Sequence, residues 1–179
     1  MRSFLAFDVP EPVAIAIARA QGRLAVGRMV PRENLHVTLA FLDDQPDAVL
    51  DELSAALAEI ALPRFAATPT GFAHFGKARP RLAYLGIAPE PPLLALHQAA
   101  RKAARRVGIT LSHERYVPHV TLARFSGHEG SRALGAVTAL AGLPVAVPPF
   151  EVFGFGLYGS TLRPEGPRYE LLESFPLRG

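Results

Sequence analysis

The sequence predicts a duplicated fold of strands and helices, in two lobes related by a pseudo-twofold axis. Three observations carry this. One phrase occurs twice, as His36-Val37-Thr38-Leu39-Ala40 and His119-Val120-Thr121-Leu122-Ala123, close to half a chain apart in a protein of 179 residues. The same order of elements surrounds each copy: strand, helix, motif strand, helix, strand. An apolar run also breaks at Pro-Glu-Pro near the start of each half, at Pro10-Glu11-Pro12 and Pro89-Glu90-Pro91. A period that long, present in two copies, implies paired lobes rather than a solenoid.

The elements follow in order. Residues 1–9 alternate like a first strand. An alanine-rich helical pattern covers about 12–24, with proline in its first turn. After Val30-Pro31 comes the first motif strand, whose β-branched, apolar composition favours a strand over a helix. Val49, Leu50, Leu53, Leu57 and Ile60 recur at helical spacing and predict a helix over 47–60. A strand is expected over 65–75. The second half repeats this with a strand near Leu82, a helix over 91–107, Val117-Pro118, the second motif strand, a helix over 131–141, and strands over 150–157 and 168–175. The reading is one domain over 1–179, built of interleaved repeats of about 1–78 and 79–179.

Hydrophobic residues make up 49% of the chain and charged residues 20%, enough for a sizeable core and against disorder. No apolar stretch approaches the ~18 residues of a membrane span, and an acid and a proline interrupt the N-terminus too early for a signal peptide. A soluble, unexported, cytoplasmic protein is expected, with no membrane partner. The absence of cysteine excludes disulfides, thiol catalysis and cysteine-ligated zinc. The net charge of +3 rests almost wholly on arginine, Lys77 and Lys102 being the only lysines. Arginine forks suit phosphate oxygens, although charge by itself does not name a nucleic acid.

Side chains on a strand alternate faces, so His36 shares a face with Thr38, and His119 with Thr121. Val37, Leu39 and Phe41 take the opposite face of the first strand, and Val120 and Leu122 that of the second. Residues two apart lie about 6.6 Å apart, within reach of one phosphate-sized ligand. Two such strands at a common axis supply two imidazoles and two hydroxyls. An imidazole with a pKa near ~6.5 serves as proton donor or acceptor at neutral pH, which suits acid–base chemistry on a phosphate ester. A zinc site would want a third ligand, where the motif offers threonine, so no metal or cofactor is expected. His74, His97, His113 and His128 have no duplicated partners and read as structural or exposed, with His74 placed to reach the site. Phe41, Phe72, Tyr84 and Phe155 are candidates to stack a base, and Gly154-Phe155-Gly156 reads as a strand bend.

At these motifs the chain resembles the two-histidine (2H) phosphoesterases, and within them the bacterial and archaeal RNA 2′,3′-cyclic phosphodiesterases, also known as 2′-5′ RNA ligases of the LigT type. Beyond the repeated phrase, the resemblance rests on the opening apolar strand, on Val30-Pro31-Arg32-Glu33-Asn34-Leu35 with Phe41-Leu42, and on Pro118 and Arg124. It implies a bilobal α+β fold with two antiparallel-rich sheets lining a central groove and helices outside. It implies a metal-independent cyclic phosphodiesterase opening RNA or nucleotide 2′,3′-cyclic phosphates to 2′-phosphates, some relatives joining RNA ends through a 2′-5′ linkage. His119 is then the proton acceptor that activates water and His36 the donor to the 3′ oxygen. Thr38 and Thr121 hold the non-bridging oxygens, and Arg124 is a substrate contact. Strict alternation places Arg124 on the face away from His119, so either the strand bulges near Ala123 or Arg124 acts from behind or at the rim. Two alternatives stay open: a module that binds RNA ends without turnover, and an enzyme for another small cyclic phosphate. A monomer is expected, because the two lobes complete one groove.

Overall fold

The structure, a computed structural model, describes all of residues 1–179. In chain order the elements are β1 (Arg2–Asp8), α1 (Glu11–Gln21), β2 (Arg28–Met29), a 3-10 turn (Arg32–Asn34), β3 (His36–Asp44), α2 (Asp47–Ala58), β4 (Phe65–Ala67), β5 (Pro69–Phe75), β6 (Leu82–Ile87), α3 (Pro91–Arg106), β7 (His119–Arg124), α4 (Ser131–Ala141), β8 (Phe150–Val152), β9 (Gly154–Arg163) and β10 (Gly166–Pro176). The helices fall where periodicity puts them, α1 stopping earlier because the chain turns at Gly22, whose N–H closes on the Ala18 carbonyl. Two expected strands each divide in two, at Thr68 and at Phe153. Pro69 lacks the N–H that an unbroken ladder needs.

The main sheet is antiparallel, in the order β10-β9-β1-β3-β7-β6-β5, with β2 added to β7. The pseudo-twofold passes between β3 and β7, exchanging β1 with β6 and β9 with β5. Each half therefore lends a late strand to the other: β5 pairs with β6, and β9 with β1. A second ladder, β4 with β8, also joins the halves. Across the axis β3 and β7 share one register pair, Val37 with Val120. The two expected antiparallel sheets are thus joined at this pair into one continuous sheet of eight strands, with the β4–β8 ladder separate. Val37, Leu39, Leu42, Val120 and Leu122 point into one core with Val13 and Ile17 of α1, Leu53 and Leu57 of α2, Leu93 and Leu96 of α3, and Val137 and Leu140 of α4. Each such side chain contributes about 1.5–3 kcal/mol by leaving water, which ties the motif strands to the helices behind them.

Both motif strands carry a β-bulge at the same motif position. On β3, Leu5 pairs with Ala40 and Ala6 with Thr38, leaving Leu39 without a partner. On β7, Ala83 pairs with Ala123 and Tyr84 with Thr121, leaving Leu122 without one. The cause is visible in burial: Leu39 with Ala40, and Leu122 with Ala123, are consecutive buried pairs. Strict alternation would turn the Arg124 guanidinium into the apolar core, at a large desolvation cost. The bulge turns it out instead. Each bulge frees backbone carbonyls that neighbouring groups satisfy. Leu122 O accepts from Val30 N–H at 2.8 Å and from Gln21 Nε2 of α1 at 2.9 Å. Leu39 O accepts from His97 Nδ1–H of α3 at 2.8 Å, and Thr38 O from the Tyr116 hydroxyl at 3.0 Å.

Candidate active site

Around the Val37–Val120 pair, antiparallel register sets His36 across from Thr121 and Thr38 across from His119. The four predicted groups occupy the corners of one quadrilateral on the groove face. The two histidines take one diagonal, a separation of about 7–8 Å between strand positions. The groove has two ends. One is a cavity of about 520 Å³ lined by His36, Thr121, Arg124, Arg28, Arg168 and Tyr169, among others. The other is a cavity of about 240 Å³ lined by His119, Thr38, Phe41, Phe75 and Tyr116, with several arginines.

Both imidazoles are held the same way. His36 Nδ1–H donates to Asn34 O at 2.8 Å, and His119 Nδ1–H donates to Val117 O at 2.7 Å. A carbonyl only accepts, so each Nδ1 carries the hydrogen and each Nε2 is left for proton exchange. His36 Nε2 lies 3.1 Å from Thr38 Oγ1. Aromatic rings wall both histidines: Phe4 at 4.9 Å and Tyr169 edge-on at 5.3 Å beside His36, Phe75 edge-on at 5.1 Å and Tyr84 at 5.1 Å beside His119. Tyr169 comes from the β9–β10 hairpin, which Asn34 Nδ2 ties down by donating to Pro167 O at 2.8 Å.

The electrostatics break the symmetry. Burial pushes the His36 pKa below its ordinary value, opposed by the Asn34 hydrogen bond and by the Asp8 carboxylate, with His119 and Arg124 adding to the lowering. Burial also lowers His119, opposed by its Val117 hydrogen bond and reinforced by Arg124. A proton on His119 thus disfavours one on His36, and the pair favours a single shared charge. Asp8 is the register partner of His36, whereas Gly86 is the partner of His119. Asp8 also accepts a 2.9 Å hydrogen bond from the Tyr158 hydroxyl.

The bulges decide what strand parity left open. Arg124 lies on the groove face, on the wall of the larger cavity. Its register partner on β2 is Arg28. Like charges directly opposite each other repel, which favours an anion between them. The same bulge corrects the expectation for Phe41. It does not point away with Val37 and Leu39 but lies on the groove side, 60% exposed, at the motif position equivalent to Arg124. Of the other aromatic candidates, Tyr84 adjoins His119, while Phe72 and Phe155 are buried in the core. His74 contacts the Lys77 carbonyl and lines neither end of the groove, and His113 and His128 are exposed. Tyr169, Phe4 and Asp8 escaped the sequence reading because they reach the site from strands far from the motifs. One signal was available: the consecutive apolar pairs at 39–40 and 122–123 interrupt strict alternation. The structure groups no three His, Asp or Glu side chains as a metal site, and no helix is long and apolar enough to cross a membrane.

The 2′-5′ RNA ligase superfamily matches residues 9–152 of this chain. The chain belongs to that family. It is 33% identical to an RNA 2′,3′-cyclic phosphodiesterase of Thermus thermophilus over 100% of this chain and 91% of the relative. It is 30% identical to one of Thermotoga maritima, over 100% of this chain and 97% of the relative. A third relative, from Geobacillus stearothermophilus, is 31% identical, and the chain spans 57% of its length. Among solved structures, Escherichia coli LigT complexed with 3′-AMP superposes with a TM-score of 0.79 at 28% identity, covering 99% of this chain and 98% of that one.

Proposed function

We propose that this protein hydrolyses RNA or nucleotide 2′,3′-cyclic phosphate ends to 2′-phosphates by a two-histidine acid–base mechanism. The observation that carries it is the pair of imidazoles at opposite corners of one groove, each fixed at Nδ1 and offering Nε2. Support comes from relatives named RNA 2′,3′-cyclic phosphodiesterase and from the LigT structure with 3′-AMP. The phosphorus lies between the two Nε2 atoms. His119 accepts a proton from water as its oxygen bonds to phosphorus. The P–O3′ bond breaks, and His36 donates its proton to the departing O3′. The Asp8 carboxylate beside His36, with none at the equivalent position beside His119, supports this order of roles. Thr38 and Thr121 donate to the non-bridging oxygens, and Arg124 offsets their charge. The exposed Phe41 ring offers a stacking surface for a base. With a ribose 5′-hydroxyl in place of water, the same displacement forms a 2′-5′ linkage.

The test is product analysis on 2′,3′-cyclic AMP and on an RNA ending in a cyclic phosphate. The expected product is the 2′-phosphate, unchanged by excess chelator. A 3′-phosphate overturns the leaving-group assignment, and tight binding without turnover favours a non-catalytic module. The strand exchange between halves supports 1–179 acting as one domain, and the completed groove supports a monomer.

Because the mechanism needs His119 neutral and His36 protonated, kcat/KM is expected to be bell-shaped in pH, with both limbs displaced below those of free imidazoles. Asp8→Asn removes the carboxylate that favours protonated His36. Its pKa falls further, so the break in the profile that His36 sets moves to lower pH while the break that His119 sets stays in place. A pH–rate profile on the variant checks this, and a profile with neither break moved removes Asp8 from the mechanism.

A further inference from the structure

The smaller end of the groove continues away from His119 along α3. His97, Arg101 and Arg105 stand four residues apart on that helix, so they form one stripe about 12 Å long. The stripe starts at the β3 bulge, where His97 donates to Leu39 O and stacks on Tyr116 with ring centroids 3.7 Å apart and planes 4° from parallel. Arg81 and Arg115 line the same cavity as Arg101. Arg101 is held rather than free: its Nη2 donates to Ser112 O at 2.6 Å. It sits close enough to Arg105 for the two cations to disfavour each other. One carboxylate, Glu114, also lines the cavity, but none of these four arginines forms an ion pair, the two salt bridges being Arg32–Glu11 and Arg106–Glu59.

Neighbouring cations at a surface repel one another, and an anion placed among them relieves that repulsion. The other end of the groove intersperses its arginines with Glu33 and Glu165. Here the arginines adjoin two aromatic rings, Phe41 and Phe75. Cations that follow a backbone, beside rings that accept bases, make the combination that holds single-stranded nucleic acid without reading its sequence. The reacting phosphate does not need them, since it lies over the histidines with Arg124.

We propose that Arg101, with Arg81 and Arg115, forms a phosphate subsite for the RNA strand upstream of the reacting end, so that the enzyme is built for oligonucleotide ends over mononucleotides. This rests on the phosphodiesterase reading above. The experiment compares kcat/KM for 2′,3′-cyclic AMP and for a short single-stranded RNA ending in a 2′,3′-cyclic phosphate, over a range of salt. The wild type is expected to prefer the RNA, its log kcat/KM falling linearly with log salt. Arg101→Gln and Arg115→Gln each lower the ratio of RNA to cyclic AMP kcat/KM by roughly tenfold, and each flattens the salt slope by about 0.7. Arg101→Lys, which keeps the charge, restores most of the slope. An unmoved ratio, or an equal fall on both substrates, overturns the subsite. If the wild type hydrolyses neither substrate, it is the phosphodiesterase reading that fails. Binding of the same RNA carrying a 3′-phosphate, measured by fluorescence anisotropy, then decides the subsite separately: it survives only if both glutamine variants weaken binding and flatten its salt dependence.

Discussion

His119→Ala is expected to lower turnover of 2′,3′-cyclic AMP by about 10²–10⁴-fold, and His36→Ala by a similar factor. The two losses differ in their dependence on pH. Without His119 the attacking water has no proton acceptor, and the acid limb of the profile, which records that acceptor gaining a proton, disappears. Without His36 the departing O3′ leaves as an alkoxide, and the alkaline limb disappears instead. If the surviving limbs come out exchanged, the donor and acceptor are exchanged too. Part of any loss in His36→Ala is structural, since its ring packs on Phe4 and bonds the Asn34 carbonyl. Thermal unfolding of each variant separates that share. Activity near wild type in either variant removes that histidine from the mechanism.

Arg124→Gln is the second large effect, about 10²–10³-fold in kcat/KM, the scale of losing one donor to the charge that develops on the phosphoryl oxygens. The pH profile gives it a signature that lost packing would not. The Arg124 cation is among the causes that lower both His36 and His119. Removing it lets both pKa values rise, so the whole bell moves to higher pH. The variant also ends the opposition of two guanidiniums at the Arg28–Arg124 register pair, so the unliganded protein is expected to hold or gain stability while activity falls. A drop in both, with the bell unmoved, makes Arg124 a structural residue.

The dyad was legible in the sequence because strand parity is local. His36 and Thr38 are two residues apart and need only an extended backbone to share a face, and the same holds for His119 and Thr121. The repeat then implied an axis, and an axis implied convergence. Parity failed three residues further on. Leu39-Ala40 and Leu122-Ala123 each demand burial of neighbours, and a bulge is the way a strand meets that demand, so Phe41 and Arg124 turn to the groove. The resemblance named Arg124, whereas its route to the site depends on a hydrogen-bond ladder with β6 and β2.

By itself, the order of residues determined the duplication, the helices and strands, and the face on which the histidines and threonines lie, because each follows from periodicity within a few neighbouring residues. Only the tertiary structure decided the rest: that Asp8 stands beside one histidine and glycine beside the other, that Tyr169 arrives from a distant hairpin, and that three arginines converge past Phe41. Those are relations between segments far apart in the chain, set by which strand pairs with which and where each ladder slips by one residue.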